Sequence, residues 1–162
     1  MTTDAGLYRY RIGDRVRVAG WVEASPCLEF IGRAGADSDL CGEKLSSQFV
    51  EAALGDLPGF AYLVPLIEPR PAYLLVVDAA VASPSQALSM ADDADQRLMK
   101  NPQYRYARDM GQLAAIEALR IENPIGVYKE VCRDAGQLLG DIKPVTITSI
   151  DWGERFRRLV EF

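Results

Sequence analysis

Apolar and polar residues alternate at the start of the chain. Tyr8, Tyr10 and Ile12, then Val16 and Val18, follow the two-residue period of a half-buried strand, which Trp21 and Val22 extend. Gly13-Asp14 between the two runs is a turn signal and leaves Asp14 at a strand end. Leu28-Glu29-Phe30-Ile31 is a further short extended run that ends in Gly32-Arg33, so residues 8–33 read as turn-linked strands. A polar, glycine-bearing loop over 34–41 closes at Gly42-Glu43-Lys44-Leu45. Ser46-Ser47 can cap a helix whose Phe49, Val50, Ala53 and Leu54 fall at helical spacing, stopping at Gly55 or near Pro58. Residues 61–67 and 72–77 are apolar, β-branched and aromatic runs. The prolines of Glu68-Pro69-Arg70-Pro71 forbid either ladder from continuing, so the two runs should form a hairpin.

Ser83-Pro84 opens a second helix, with Ala87, Leu88, Ala91, Ala94 and Leu98 on one side until Asn101-Pro102 stops it. Its other side carries Asp92, Asp93 and Asp95, most simply a solvated face. A short helical turn over 103–110, a strand within 113–121 and a helix over about 124–138 follow. Residues 146–151 read as a last strand. The tail, with Arg155, Arg157 and Arg158 beside Phe156, Leu159, Val160 and Phe162, is a basic amphipathic end that needs a surface to cover. This order predicts an α+β domain: a small, mainly antiparallel three-stranded sheet with helices on one face, preceded by a β-hairpin.

Composition narrows the function classes. With 162 residues the chain suits one domain, or a domain with an appendage, and its 49% apolar and 25% charged residues are ordinary globular usage. A net charge of −5 argues against a general nucleic-acid binder, which relies on a cationic surface. The three cysteines lack a paired short spacing and there is no histidine, so no metal site is expected and the usual serine and cysteine triads are excluded. No apolar run reaches the roughly 20 residues that span a bilayer, and the first residues lack a signal-peptide core. A cytoplasmic protein with reduced thiols, bound neither to membrane nor to nucleic acid, is the expectation. Catalysis by this chain would rest on Asp, Glu, Lys or Arg.

Among such residues, Asp14 can accept hydrogen bonds from two neighbouring hydroxyls, the demand of a ribose diol, although Gly-Asp is most often only a turn. Arg33 follows a glycine at a strand end, where a planar guanidinium can meet phosphate oxygens and where a surface ion pair is the simpler role. Lys143 lies in Gly140-Asp141-Ile142-Lys143-Pro144, a loop held by glycine and proline from which a long cationic stem can be aimed. Asp141 can restrain it by a local pair, and Lys44 is the rival cation. Tyr104, Arg105, Tyr106 and Arg108 form an aromatic-basic stripe that reads as packing with a solvated edge before it reads as an acceptor site.

Taken together, Tyr10-Arg11-Ile12-Gly13-Asp14, a hairpin, Leu28-Glu29-Phe30-Ile31-Gly32-Arg33 and a glycine ten residues beyond Gly32, at Gly42, resemble acyl-adenylate-forming enzymes at the junction of their large and small domains. The wording of Tyr8 to Asp14, Phe30 to Arg33, Ser38-Asp39-Leu40 and Gly42 to Leu45 most resembles bacterial members of the auxin-responsive Gretchen-Hagen family of acyl-acid amido synthetases. The likeness resumes at Tyr104-Arg105-Tyr106-Ala107-Arg108 and at 140–144, so it covers nearly the whole chain.

The resemblance implies that residues 1–33 end the large adenylating domain and 34–162 form the C-terminal small domain. It implies that Asp14 holds the ribose, that Arg33 approaches the nucleotide, and that Lys143 swings over the active site to the acyl carboxylate and phosphate. Gly32, Gly35 and Gly42 would frame the hinge. Where the wider acyl-adenylate-forming superfamily often has two adjacent acidic residues soon after Gly-Arg, this chain has Ala34-Gly35-Ala36-Asp37-Ser38-Asp39, so the pivot residue itself does not transfer. The whole protein would adenylate a carboxylic acid with ATP and magnesium and pass the acyl group to an amino acid. Coenzyme A is the runner-up acceptor, and a stand-alone, non-catalytic binding module is the alternative of a different class. This fragment of an ATP-dependent ligase is not expected to be active alone. Its partner would be the large N-terminal domain, with a homodimer through the N-terminal hairpin as a substitute cover.

Overall fold

The computed structural model describes residues 6, 8, 14–33, 38–149 and 152–160, with the backbone alone at 14, 15, 30–33, 141, 154, 159 and 160. The chain divides into two compact units, Met1–Gly35 and Ala36–Phe162. In the first, β1 (Asp14–Val22) and β2 (Ser25–Arg33) form an antiparallel hairpin whose turn places Glu23 at a left-handed φ of 53°. Val18 lies opposite Leu28, and Arg17 opposite Glu29. An irregularity between Val18 and Gly20 shifts the parity, so Trp21, opposite Pro26, shares the face of Val16, Val18 and Leu28. That apolar face is open: Trp21 is 66% and Leu28 58% exposed. The other face carries the Arg17–Glu29 ion pair at 2.7 Å, an exposed pair that contributes little to stability.

The second unit begins with α1 (Ser47–Leu54), capped by the Ser46 hydroxyl, which accepts from the Phe49 N–H at 3.3 Å. β3 (Tyr62–Leu66) and β4 (Ala72–Asp78) pair antiparallel. Then come α2 (Pro84–Leu98), opened by a Ser83–Gln86 capping box, and α3 (Pro102–Asp109), capped by Asn101. β5 (Glu117–Ile121) joins β4 in parallel, giving the order β3-β4-β5, and α4 (Pro124–Asp134) and α5 (Trp152–Val160) follow.

The α+β class, the three-stranded sheet and the preceding hairpin agree with the sequence expectation, and two details do not. The sheet is mixed, because β5 returns parallel after α2 and α3. Helices also cover both faces. Leu63, Tyr73, Leu75 and Val77 pack against residues of α1, α2 and α3, while Tyr62, Val64, Leu74 and Val76 pack against Tyr128 and Val131 of α4 and Trp152 and Phe156 of α5. The reason lies in the strands. β3 and most of β4 are buried without alternation, the pattern of strands covered on two sides. Of the strand expected over 146–151, positions 150 and 151 lie outside the described residues, and within 146–149 Ile147 makes an isolated parallel bridge to Leu63.

Close approach of α5 to β3 depends on Gly153, where an added Cβ would stand 2.5 Å from the Pro65 carbonyl oxygen. That oxygen belongs to the backbone and cannot swing aside. Gly153→Ala is therefore expected to destabilise the domain by about 1–3 kcal/mol despite alanine's better helix propensity. Urea unfolding checks this, and a stabilised variant would refute the contact.

Candidate functional site

The hairpin register sets Asp14 directly opposite Arg33 at the open ends of β1 and β2. Directly opposed positions lie about 5 Å apart at Cα, so two separate motifs are brought to one strand end. Gly32 pairs with Arg15 beside them, and Gly35 lies outside the described residues.

Gly42, at φ 91°, belongs to a loop that is tied to the sheet of the second unit. Ser38 and Leu45 exchange backbone hydrogen bonds of 2.9 and 2.8 Å that close it. Within it, Asp39 accepts the Gly42 N–H at 2.7 Å. The fully buried Glu43 carboxylate accepts the N–H groups of Leu40 at 2.7 Å and Cys41 at 2.6 Å, together with the phenol of Tyr73 on β4. The same phenol lies 2.8 Å from the Ser38 hydroxyl. Burial first, then the Glu43 charge, pushes the Tyr73 phenol well up, so it keeps its proton and acts as donor. Lys44, next to this anchor, is exposed and left-handed at φ 46°.

Sequence reasoning passed over Glu43 in favour of its glycine and lysine neighbours. Nothing local marks it, because its decisive partner stands thirty positions away. Tyr73 in turn packs 6.4 Å, ring to ring, from Tyr104 on α3. The Tyr104 phenol donates to Asp95 at 2.5 Å, and Arg108 pairs with the same carboxylate at 2.9 Å. Asp95 is thus buried and partnered, which corrects its placement on a solvated face. Tyr104 and Arg108 are packing residues, as weighed. Arg105 holds the Met99 carbonyl at 3.0 Å, and Tyr106 faces solvent.

Lys143 follows a single 3-10 turn, Leu139–Asp141, and its side chain is exposed. Its backbone is held: the Tyr128 phenol donates to the Lys143 carbonyl at 3.1 Å, and Ile142 and Val145 pack on the core shared by α4 and α5. The side chain of Asp141 is not described. A shallow cleft of about 420 Å3 between α1 and the end of α2 is lined by Phe49, Ala53, Asp56, Arg97 and Lys100, and by none of the residues singled out above. Among the described residues no three Cys, Asp or Glu gather into a metal-binding group, and no helix is long and apolar enough to cross a membrane.

The geometry defines a class: a small α+β domain with helices on both faces of its sheet, which follows in the chain a β-hairpin with an acidic and a basic residue opposed at its strand ends and which carries a backbone-anchored loop lysine. Comparison with known proteins gives that class a setting. Residues 1–33 match a family model described as the GH3 family central domain. The chain is 30% identical over 142 residues to the probable indole-3-acetic acid-amido synthetase GH3.7 of Oryza sativa subsp. japonica, covering 72% of this chain and 22% of that protein. It is 45% identical over 53 residues to the probable indole-3-acetic acid-amido synthetase GH3.6 of the same organism, covering 33% of this chain and 11% of that one. Among solved structures, a GH3.15 acyl acid amido synthetase superposes with a TM-score of 0.57 at 18% identity, covering 97% of this chain and 31% of that chain. AtGH3.15 acyl acid amido synthetase in complex with 2,4-DB gives 0.59 at 17%, with the same coverage. At such identity the structural likeness speaks for the fold. The chain spans about a fifth of the length of GH3.7 and about a third of the GH3.15 chain.

Proposed function

We propose that residues 34–162 are the C-terminal small domain of an ATP-dependent acyl-acid amido synthetase of the Gretchen-Hagen (GH3) family, in wording most like its bacterial members, and that 1–33 end its large adenylating domain. The carrying observation is that the stretch matched to the GH3 central domain, 1–33, falls within the hairpin unit Met1–Gly35. The whole protein would act in the cytoplasm, adenylating a carboxylic acid and transferring the acyl group to an amino acid amine.

ATP supplies the adenylyl group that turns the substrate carboxylate into a reactive mixed anhydride. The donor set suits that nucleotide: a carboxylate at Asp14 can take both ribose hydroxyls, and the guanidinium of Arg33, at the opposed position, can meet phosphate oxygens. Lys143 contributes a charge where negative charge develops at the reacting carboxyl and phosphate. Magnesium would travel with the ATP phosphates, and no residue of this chain is assigned to it. Gly32, Gly35 and Gly42 frame the segment about which the domain would turn between adenylation and transfer, with Gly42 inside the anchored loop. The open apolar face of the hairpin is the surface the large domain would cover, and in the chain on its own it is expected to draw a second copy.

The isolated chain is expected to show no adenylation and to bind ATP more weakly than micromolar by calorimetry, since half of the site is elsewhere. In the full synthetase, Asp14→Ala should raise the apparent KM for ATP. Lys143→Ala should slow pyrophosphate exchange by at least about tenfold. An unchanged rate for the lysine variant removes it from the mechanism, and trapping with amino acids or coenzyme A identifies the acceptor.

A further inference from the structure

We infer that Tyr128 is the positioning residue of Lys143: its phenol ties the Lys143 carbonyl, immediately ahead of Pro144, and so fixes where the lysine stem leaves the domain. The inference rests on the role proposed for Lys143 above. The Tyr128 hydroxyl donates to the Lys143 carbonyl at 3.1 Å. Pro144, which follows that carbonyl, has a fixed φ and no N–H of its own, and it confines Lys143 to extended backbone, so few torsions remain free beside the tie.

The support behind the phenol is rigid. Tyr128 is buried on α4, its ring 4.7 Å from Trp152 and edge-on to Tyr62 at 5.5 Å. Burial keeps its proton in place, so the donor persists at any assay pH near neutrality. The turn ahead of the lysine brings little restraint, because its first residue has no side-chain cap. Apolar contacts of Ile142 and Val145 hold the segment down without setting its direction. A long flexible cation whose root is fixed loses less freedom when it engages a developing charge. The hydroxyl is therefore expected to act on the rate of the step that uses Lys143, more than on ground-state binding of ATP.

Tyr128→Phe keeps the ring and removes only this tie. In the full synthetase it is expected to lower kcat for pyrophosphate exchange about fivefold, the value of one hydrogen bond, with KM for ATP nearly unchanged. In a Lys143→Ala background the same substitution should cost almost nothing further, because it acts through the lysine. In the 162-residue chain the backbone amide order parameter of Lys143 should fall, while the amides of β4 keep their protection from exchange. An unchanged Lys143 order parameter, or equal losses in both backgrounds, overturns the inference. A full loss for Lys143→Ala beside an unchanged Tyr128→Phe also overturns it and leaves the lysine in place. If Lys143→Ala is itself silent, the reading of the lysine fails and the positioning role falls with it.

Discussion

Replacing Glu43 by alanine is expected to cost the second unit about 3–5 kcal/mol, enough to unfold a domain of ordinary stability at moderate urea. The carboxylate is fully buried, and it takes the Leu40 and Cys41 N–H groups and the Tyr73 phenol. Alanine leaves these donors facing a void, and the cost of unsatisfied donors exceeds that of the bonds themselves. Tyr73→Phe removes one donor and should cost less, about 1.5–3 kcal/mol, the usual value of a hydrogen bond to a charged group. The double variant Glu43→Leu with Tyr73→Phe should be milder than the sum, because both partners vanish together. Urea midpoints of the three proteins test this. A Glu43→Ala protein within 1 kcal/mol of the parent would mean that water already reaches the loop.

Features set by short-range chemistry were legible in the sequence. Ser46 and Ser83 each sit before a helical period and each caps the helix it announces, since a cap depends on residues within one turn, while Asn101, read as the stop of α2, also caps α3. The proline-bearing link between 61–67 and 72–77 marked the β3–β4 hairpin for the same reason. Features that depend on what arrives from elsewhere were not legible. Asp92, Asp93 and Asp95 look alike on α2, and only Tyr104 and Arg108, brought by α3, draw the last of them inside. The unbroken apolar runs of β3 and β4 did carry the sign of two-sided burial, and α4 and α5 supply the second cover.

For the candidate site, a hairpin between Asp14 and Arg33 was readable. Their direct opposition depends on two register irregularities that composition does not display. Lys143 stood out only through resemblance to a family, as one exposed loop lysine among many. Its tie to Tyr128 joins positions fifteen apart on different elements and leaves no periodic trace.

Alkaline pH is expected to unfold the domain cooperatively, between about pH 10 and 12. Tyr62, Tyr73, Tyr104 and Tyr128 are all buried, and every one of their phenols is pushed up from its ordinary value, in each case first by burial. Secondary causes differ: the neighbouring Tyr128 for Tyr62, the Glu43 charge for Tyr73, the bond to Asp95 for Tyr104, and Cys132 for Tyr128. The sign follows from proton counting. Unfolded tyrosines ionise near pH 10, whereas the folded ones stay protonated above it, so beyond that point the folded state binds more protons. Their contribution is fully present below about pH 10 and is lost as pH rises toward the folded values. Each phenol takes away about 1.4 kcal/mol per pH unit, so the four together remove about 5, and an ordinary domain is exhausted within one to three units. The buried Cys132 thiol, also pushed up by burial, starts the decline somewhat earlier, near the ordinary thiol range of about 8.5. The check is tyrosinate absorbance followed together with far-ultraviolet circular dichroism across the titration. A rise in tyrosinate absorbance coincident with loss of helix and strand signal is expected, and Tyr104→Phe should flatten the slope of stability against pH by about a quarter. A single smooth ionisation of all tyrosines with the fold intact would show that the four phenols are open to water.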